Sequence, residues 1–518
     1  VNGAESLIRT VAAAGVDVCF ANPGTTEMHL VQAIDDAGGV RPVLALFEGV
    51  CTAAADGYAR MAGRPAMTLL HLGPGMANGI ANLHNAARAR TPLVSVVGDH
   101  AAWHHGRGAP LETDIEGLAR PFSKWVRTSA SAGGVAHDAA DAIAAARSAP
   151  GGVATLIVPA DCAWSDAAGP AEPVASSGPR AVADATVEAA ADLLRAPAGR
   201  PATLLLGADA LTERGLRAAG RVAAATGCRL MAETFPARVE RGGDLPVAPR
   251  LPYFPEEATE ALAQGSSVLL AGAVEPIAFF GYPGLRSELA PPGMPVQTLA
   301  EAGSEDAAGA LERLADALGA AAEARPPDRP APAPPAPDAP LDPVTVSAAI
   351  AAGQPEGAIV VDEGLTVSAF YVDGSVGAAR HTYLALTGGA IGFGLPAAAG
   401  AAIACPDRPV IALQADGSGM YTAQALWTYA REGLNVTALV CANRSYRILL
   451  EELRRAGVEK PDPGARALTS LAEPALDWLA LAAGMGVPAQ RATTAGELAT
   501  ALERGLAEPG PHLVEMVL

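Results

Sequence analysis

The sequence predicts an α/β protein made of three consecutive doubly wound parallel-sheet domains, and three observations predict it. Short apolar runs ending in Gly, Pro, Asn or Asp alternate with Ala-rich helical stretches from end to end. Those runs are apolar on both faces, as strands covered by helices on either side must be. The length of 518 residues exceeds one ordinary domain and suits three of about 150–200 residues each.

Taken in order, VDVCFANPG, PVLALFEG, AMTLLHLGPG, PLVSVVGD and ATLIVPAD supply the strands of the first third. PATLLLGAD, CRLMAETF, SVLLAGA and PVQTLAE supply the middle, and GAIVVDEG, PVIALQADGS, VTALVCANRS and HLVEMVL the last third. Two stretches without periodicity mark boundaries. Ser165–Pro179 is rich in Pro, Ala and Ser, and Ala324–Pro343 is a proline-rich spacer that suits neither helix nor central strand. The expected layout is residues 1–165, a central domain over 180–323, a linker over 324–343 and a C-terminal domain over 344–518.

Composition narrows the function. Half of the residues are hydrophobic and 18% are charged, enough apolar material for several cores. A net charge of −19 argues against nucleic acid or an anionic membrane as partner. Lys124 and Lys460 are the only lysines, and neither ends a Gly-rich phosphate loop, which sets aside Walker-type nucleotide hydrolysis and disfavours Schiff-base chemistry. Cys19, Cys51, Cys162, Cys228, Cys405 and Cys441 are scattered without a CxxC pair and read as buried free thiols of a reducing compartment. No apolar run reaches membrane-spanning length and no signal-peptide pattern opens the chain, so a cytoplasmic location is expected.

The most specific signal is PVIALQADGSGMYTAQALWTYAREGLNVTALVCANRSY. One strand ends at Asp416-Gly417-Ser418, a helix crosses over, and a second strand ends at Asn443-Arg444-Ser445. A right-handed crossover returns the chain parallel and adjacent, so Asp416 and Asn443 emerge side by side at the carboxyl edge of the sheet. A carboxylate, an amide oxygen and a backbone carbonyl are hard ligands suited to Mg²⁺ or Ca²⁺, whose shell phosphate oxygens can complete. Gly417 would admit a phosphate close to the backbone. Either residue alone is more simply a helix cap or a turn; the pair on adjacent strand ends favours the metal.

These residues resemble those of the thiamine diphosphate enzymes, in the acetolactate synthase, pyruvate decarboxylase and benzoylformate decarboxylase superfamily. Its Gly-Asp-Gly signature stands here as Ala415-Asp416-Gly417, and its Asn-Asn pair as Ala442-Asn443. The change to Ala415 is tolerable if that position has ordinary backbone angles. By this resemblance the metal ligands are Asp416, Asn443 and the main-chain oxygen of Ser445, and Gly417 and Ser418 lie against the diphosphate. In HTYLALTGGAIGFGLPAAAGAAIA, Gly389 occupies the position whose backbone contacts the aminopyrimidine, and Ile391 that of the side chain propping the cofactor into a bent shape. Thr366, in Asp362-Glu363-Gly364-Leu365-Thr366, falls where relatives contact the diphosphate.

The N-terminal segments ANPGTTEMHLVQAI, FEGVCTAAADGYAR, HLGPGMANGIANLHNA and TPLVSVVGDH resemble the superfamily's pyrimidine-binding domain in order and spacing, with Glu48 on its activating glutamate. A Glu in the first helical turn also complements the helix dipole, and only these surroundings single out Glu48. The resemblance implies a homo-oligomer, dimer or tetramer, in which Glu48 reaches cofactor held by a partner subunit. It also implies catalytic positions at His71, where benzoylformate decarboxylase carries a histidine, and at Thr25, where it carries a serine. A satisfied strand-end histidine is an equally good account of His71. His104-His105 resembles the histidine pair of pyruvate decarboxylase, although a solvated loop explains it more simply. In GAVEPIAFFGYPG, Phe279 and Phe280 stand where benzoylformate decarboxylase has a histidine, so that enzyme's aromatic substrate does not follow.

The expected function is therefore thiamine diphosphate-dependent decarboxylation of pyruvate or a related 2-oxo acid, with or without carboligation to a second carbonyl. The central domain shows no adenine or phosphate fingerprint, so FAD is not expected. Two alternatives stand behind this reading. One is a catalytically silent cofactor-binding homologue, which the retained Glu48 disfavours. The other is a nicotinamide-dependent oxidoreductase, since Gly392-Phe-Gly394-Leu-Pro-Ala397 matches G-x-G-x-x-A, a weak signal in isolation.

Overall fold

A computed structural model describes residues 1–196, 199–323 and 329–518; the first five positions of the expected linker, 324–328, lie outside the described residues. Among the described residues the strands form three parallel-dominated sheets. The chain divides into two compact units. One comprises Val1–Ser176, Ala333–Gly374 and Leu386–Leu518, and the other Ser177–Pro332 with Ser375–Ala385.

In the first unit, β1 (Val18–Asn22), β2 (Arg41–Leu44), β3 (Ala66–His71), β4 (Leu93–Asp99), β5 (Trp125–Thr128) and β6 (Val153–Pro159) form a parallel sheet. Its order is β2-β1-β3-β4-β6-β5. Its central strands are covered on both faces. Cys19, Met67, Leu69, Val94, Val96 and Leu156 pack into the core shared with the helices Gly3–Ala13 and Val135–Arg147. Phe20, Leu70 and Val97, at intervening positions, are equally buried and point to the opposite face. This is why the sequence shows continuous apolar runs rather than alternation.

The last third contributes β12 (Ala358–Glu363), β14 (Val410–Ala415), β15 (Val436–Ala442), β16 (Ala489–Ala492) and β17 (His512–Val517) to the same unit. They run parallel in the order β16-β17-β15-β14-β12. The helices Glu48–Ala62 and Gly394–Ala404 meet along small residues. A Cβ on Gly57 would stand 2.1 Å from the Ala397 carbonyl oxygen, and one on Gly400 1.9 Å from that of Ala54. Only glycine permits so close an approach, which joins the helix that Glu48 opens to the helix that follows Ile391.

The second unit holds β7 (Thr203–Leu206), β8 (Arg229–Ala232), β10 (Val268–Ala271) and β11 (Val296–Ala300) as a parallel sheet ordered β11-β10-β7-β8. Within it β9 (Val239–Arg241) pairs antiparallel with β13 (His381–Ala385). Leu205, Leu262, Val268 and Leu270 form its core. Among the described residues no helix is long and apolar enough to cross a membrane.

Candidate active site

β14 and β15 pair in register through Ala415 and Cys441, so the two chains leave the sheet together, as the crossover argument requires. Asp416 is buried. Its carboxylate accepts the backbone N–H of Gly417 at 2.8 Å and that of Arg444 at 2.7 Å. Burial pushes its pKa up, against the pull of those two N–H groups. The Asn443 side-chain oxygen accepts the N–H of Ser445 at 2.9 Å, and the Ser445 hydroxyl is buried without a partner. A buried carboxylate, an amide oxygen and main-chain oxygens at one strand-end corner fit a hard divalent cation. Among the described residues no group of three or more His, Cys, Asp or Glu side chains could hold a metal, so any site here draws on amide and main-chain oxygens.

Ala415 has φ −83° and ψ 148°, ordinary extended angles, which explains why glycine is dispensable there. The glycine at 417 has a structural cause. An added Cβ would lie 2.6 Å from the Tyr446 ring and 3.0 Å from Leu471. The Ser418 hydroxyl is also turned inward, where it accepts from Gln414 Nε2 at 2.5 Å.

Gly389 and Ile391 sit on the turn entering the helix Gly394–Ala404. Gly389 is exposed with φ +75°, and Ile391 is half-buried. The turn is gripped from two sides. From the helix Leu72–Arg88, Asn82 Nδ2 donates to the Gly392 carbonyl at 3.2 Å and Asn85 Nδ2 to that of Ala390 at 2.7 Å, while His84 Nε2 lies 3.1 Å from the Gly388 carbonyl. From the end of β12, Glu363 accepts the N–H groups of Gly392 at 2.6 Å and Gly394 at 2.7 Å. Those two donors are therefore engaged by the chain's own carboxylate. A dinucleotide fingerprint would hold them for pyrophosphate, so the G-x-G-x-x-A match is better explained internally. Thr366 is half-buried in the next loop, which Asp362 shapes by accepting the Gly364 N–H and the Ser368 hydroxyl, each at 2.8 Å.

Glu48 is buried and opens the helix Glu48–Ala62. Asn78 Nδ2 donates to its Oε2 at 2.9 Å, and the Gly75 backbone flanks Oε1, where a Cβ would come within 3.2 Å. His71 ends β3. Its Nδ1 lies 2.7 Å from the carboxylate of Glu27, a fully buried side chain, while the imidazole remains 22% exposed. Glu27 also accepts the Gly24 N–H at 2.7 Å and the Thr26 hydroxyl at 2.5 Å. A carboxylate on Nδ1 favours the tautomer with its proton there and leaves Nε2 outside that contact. Thr25 is exposed in the same turn, and Thr26 is the hydroxyl near His71, at 3.3 Å.

On the loop after β4, His105 contacts Asp99 at 3.1 Å and Glu112 at 3.7 Å, and the His100 and His104 rings lie 5.3 Å apart. The loop is thus partly organised, although Trp103 is 68% exposed. In the second unit Phe279 and Phe280 stack edge to face at 4.8 Å, and Phe279 also meets Phe235 and Tyr253.

Backbone strain marks the same places. Five non-glycine residues among the described ones have left-handed φ, and three of them, Leu72, Leu365 and Arg444, adjoin His71, Thr366 and Asn443. Such outliers concentrate at functional loops. Sequence reasoning missed Glu27, Asn78, Asn82, Asn85, Glu363 and Gln414. A signal existed for two of them. Glu27 stands three residues after Gly24, the interval of a capping box, and Glu363 is the second of two acids that end an apolar strand.

The fold is that of a thiamine diphosphate enzyme. Family models for the thiamine pyrophosphate enzymes match twice, the N-terminal TPP binding domain over residues 1–118 and the C-terminal TPP binding domain over residues 369–516. The chain belongs to that family. It is 50% identical over 518 residues, 100% of this chain and 99% of the other, to a Mycobacterium tuberculosis protein named "Putative acetolactate synthase large subunit IlvX". It is 34% identical to benzoylformate decarboxylase of Pseudomonas aeruginosa, over 97% of this chain and 96% of that one. Among solved structures it resembles the thiamine diphosphate-dependent 4-hydroxybenzoylformate decarboxylase of Rhodococcus jostii, with a TM-score of 0.87 and 25% identity over 99% of this chain and 98% of that one. The protein is thus an enzyme of the acetolactate synthase and benzoylformate decarboxylase type.

Proposed function

We propose that this enzyme decarboxylates a 2-oxo acid, with thiamine diphosphate held through a divalent cation by Asp416, Asn443 and the main-chain oxygen of Ser445. Thiamine diphosphate bound there would supply the nucleophilic carbon and the electron sink that decarboxylation of a 2-oxo acid needs. Gly389 and Ile391 would present the aminopyrimidine, and Thr366, Gly417 and Ser418 would border the diphosphate. Glu48, which accepts from Asn78, would share a proton with the pyrimidine ring nitrogen. As in its family, Glu48 serves the cofactor of a partner subunit in a homo-oligomer.

The observation that carries the catalytic reading is the Glu27–His71 pair. A carboxylate fixes one imidazole nitrogen at 2.7 Å, so when the ring carries both protons its Nε2–H can donate to the substrate carboxylate or deliver that proton to the carbon left by decarboxylation. Delivering that proton releases an aldehyde; admitting a second carbonyl in its place would give a carboligation product. The fixed histidine favours the aldehyde.

The test is carbon dioxide release from a panel including pyruvate and benzoylformate, using cofactor-depleted protein with and without thiamine diphosphate and Mg²⁺. Release that needs both, and falls at least about 100-fold in Glu48→Gln, supports the reading. Cofactor binding without turnover on any member of the panel would make the chain a silent homologue.

A further inference from the structure

Glu363 is a fully buried carboxylate that the chemistry above does not use. Burial raises its pKa to about 7, against the pull of the N–H donors around it. Such a group is costly to keep unless its position requires two strong acceptor oxygens. Here it does. The Gly392 N–H points at Oε1 and the Gly394 N–H at Oε2, so the carboxylate bridges two amides of one turn. An amide side chain would offer one acceptor oxygen and turn an NH₂ group toward the other donor. Gly392 is held on its other side as well, because its carbonyl accepts from Asn82 and from the Thr422 hydroxyl at 3.0 Å.

The network continues beyond the turn. Gln414 Nε2 lies 3.1 Å from Glu363 Oε2 and 2.5 Å from the Ser418 hydroxyl. A chain of polar contacts thus runs from the Gly389–Ile391 turn, through Glu363 and Gln414, to the Asp416-Gly417-Ser418 corner.

We propose that Glu363 is a positioning residue, whose carboxylate holds the 388–394 turn in the shape that presents Gly389 and Ile391 to the aminopyrimidine and ties that turn to the diphosphate corner. The proposal rests on the cofactor reading above for what the turn presents. The holding of the turn is a property of the chain alone.

Two measurements on the full chain separate these statements. Hydrogen exchange of the segment spanning Gly392 and Gly394, in cofactor-free protein, should speed up about tenfold or more in Glu363→Gln while global unfolding in urea stays cooperative. In the presence of Mg²⁺ the same variant should bind thiamine diphosphate about tenfold more weakly, with kcat at saturating cofactor within about threefold of the parent. Should Glu363→Gln fail to fold, Gln414→Met, which cuts the link one residue further on, should still speed exchange and weaken binding in the same sense. Unchanged exchange in a folded Glu363→Gln protein overturns the proposal. So does a loss confined to kcat at full cofactor affinity. If the parent protein itself bound no thiamine diphosphate, the exchange result would still decide the role of Glu363, and the cofactor reading would be the one to fall.

Discussion

At the scale of single residues, two carboxylates divide the work. Glu48 faces a donor, Asn78, and the glycine backbone at Gly75. Replacing it with Gln keeps the volume and removes the acid, so kcat should drop about 100-fold or more while cofactor affinity changes little; steady-state assays at saturating cofactor read the first and a cofactor titration the second. Glu363 acts through folding. Its folded-state pKa of about 7 lies above its ordinary 4.5, so the folded chain holds the proton more tightly than the unfolded one. The stability this lends is fully present below pH 4.5 and is lost as pH rises through 7. Between pH 4.5 and 8 the urea midpoint of the parent apoprotein should therefore fall relative to that of Glu363→Gln, a difference that removes the opposing contribution of groups such as His381, whose pKa burial lowers to about 4. The sequence could pair Glu27 with Gly24 at the interval of a capping box, but neither the Glu27–His71 contact nor those of Glu363 with Gly392 and Gly394 could be assigned, because these hydrogen bonds close over long intervals. Gly392 and Gly394 stand 29 and 31 residues from Glu363, and His71 stands 44 from Glu27.

At the scale of elements, the helix pair Glu48–Ala62 and Gly394–Ala404 carries the coupling between the two sheets of the first unit. Gly57 and Gly400 leave no room for a Cβ against the facing backbone. Gly400→Ala should destabilise the protein by about 1–3 kcal/mol or force the helices apart, seen as a lower denaturation midpoint together with weaker cofactor binding. The elements legible in the sequence were those buried on both faces. β14 and β15 declared themselves as largely apolar runs leading to Asp416 and Asn443. β5 and β16 did not, since each sits at a sheet edge and its residues are mostly half-buried or exposed, as in Trp125–Thr128. The short β9–β13 pairing escaped for a different reason. It joins residues more than a hundred positions apart in antiparallel fashion, and no local periodicity reports such a partner. The strand-end geometry followed from topology, whereas the inward turn of Ser418 and the choice of Thr26 over Thr25 beside His71 depend on packing.

At the scale of the whole molecule, one compact unit brings together chain from both ends, and in the proposed homo-oligomer each cofactor would be held by the C-terminal third of one subunit and met by Glu48 of the partner subunit. Ligand that binds only the folded state stabilises it by mass action, by about 2.7 kcal/mol at a hundredfold excess over Kd. Thiamine diphosphate with Mg²⁺ should raise the melting temperature, and chelation of the metal should reverse the rise. The most direct measurement is a calorimetric titration of metal-depleted protein with thiamine diphosphate, with and without Mg²⁺, in the parent and in Asp416→Ala. The account predicts saturable binding that requires the metal and is lost in the variant. Binding of equal strength without the metal, undiminished in Asp416→Ala, would contradict it.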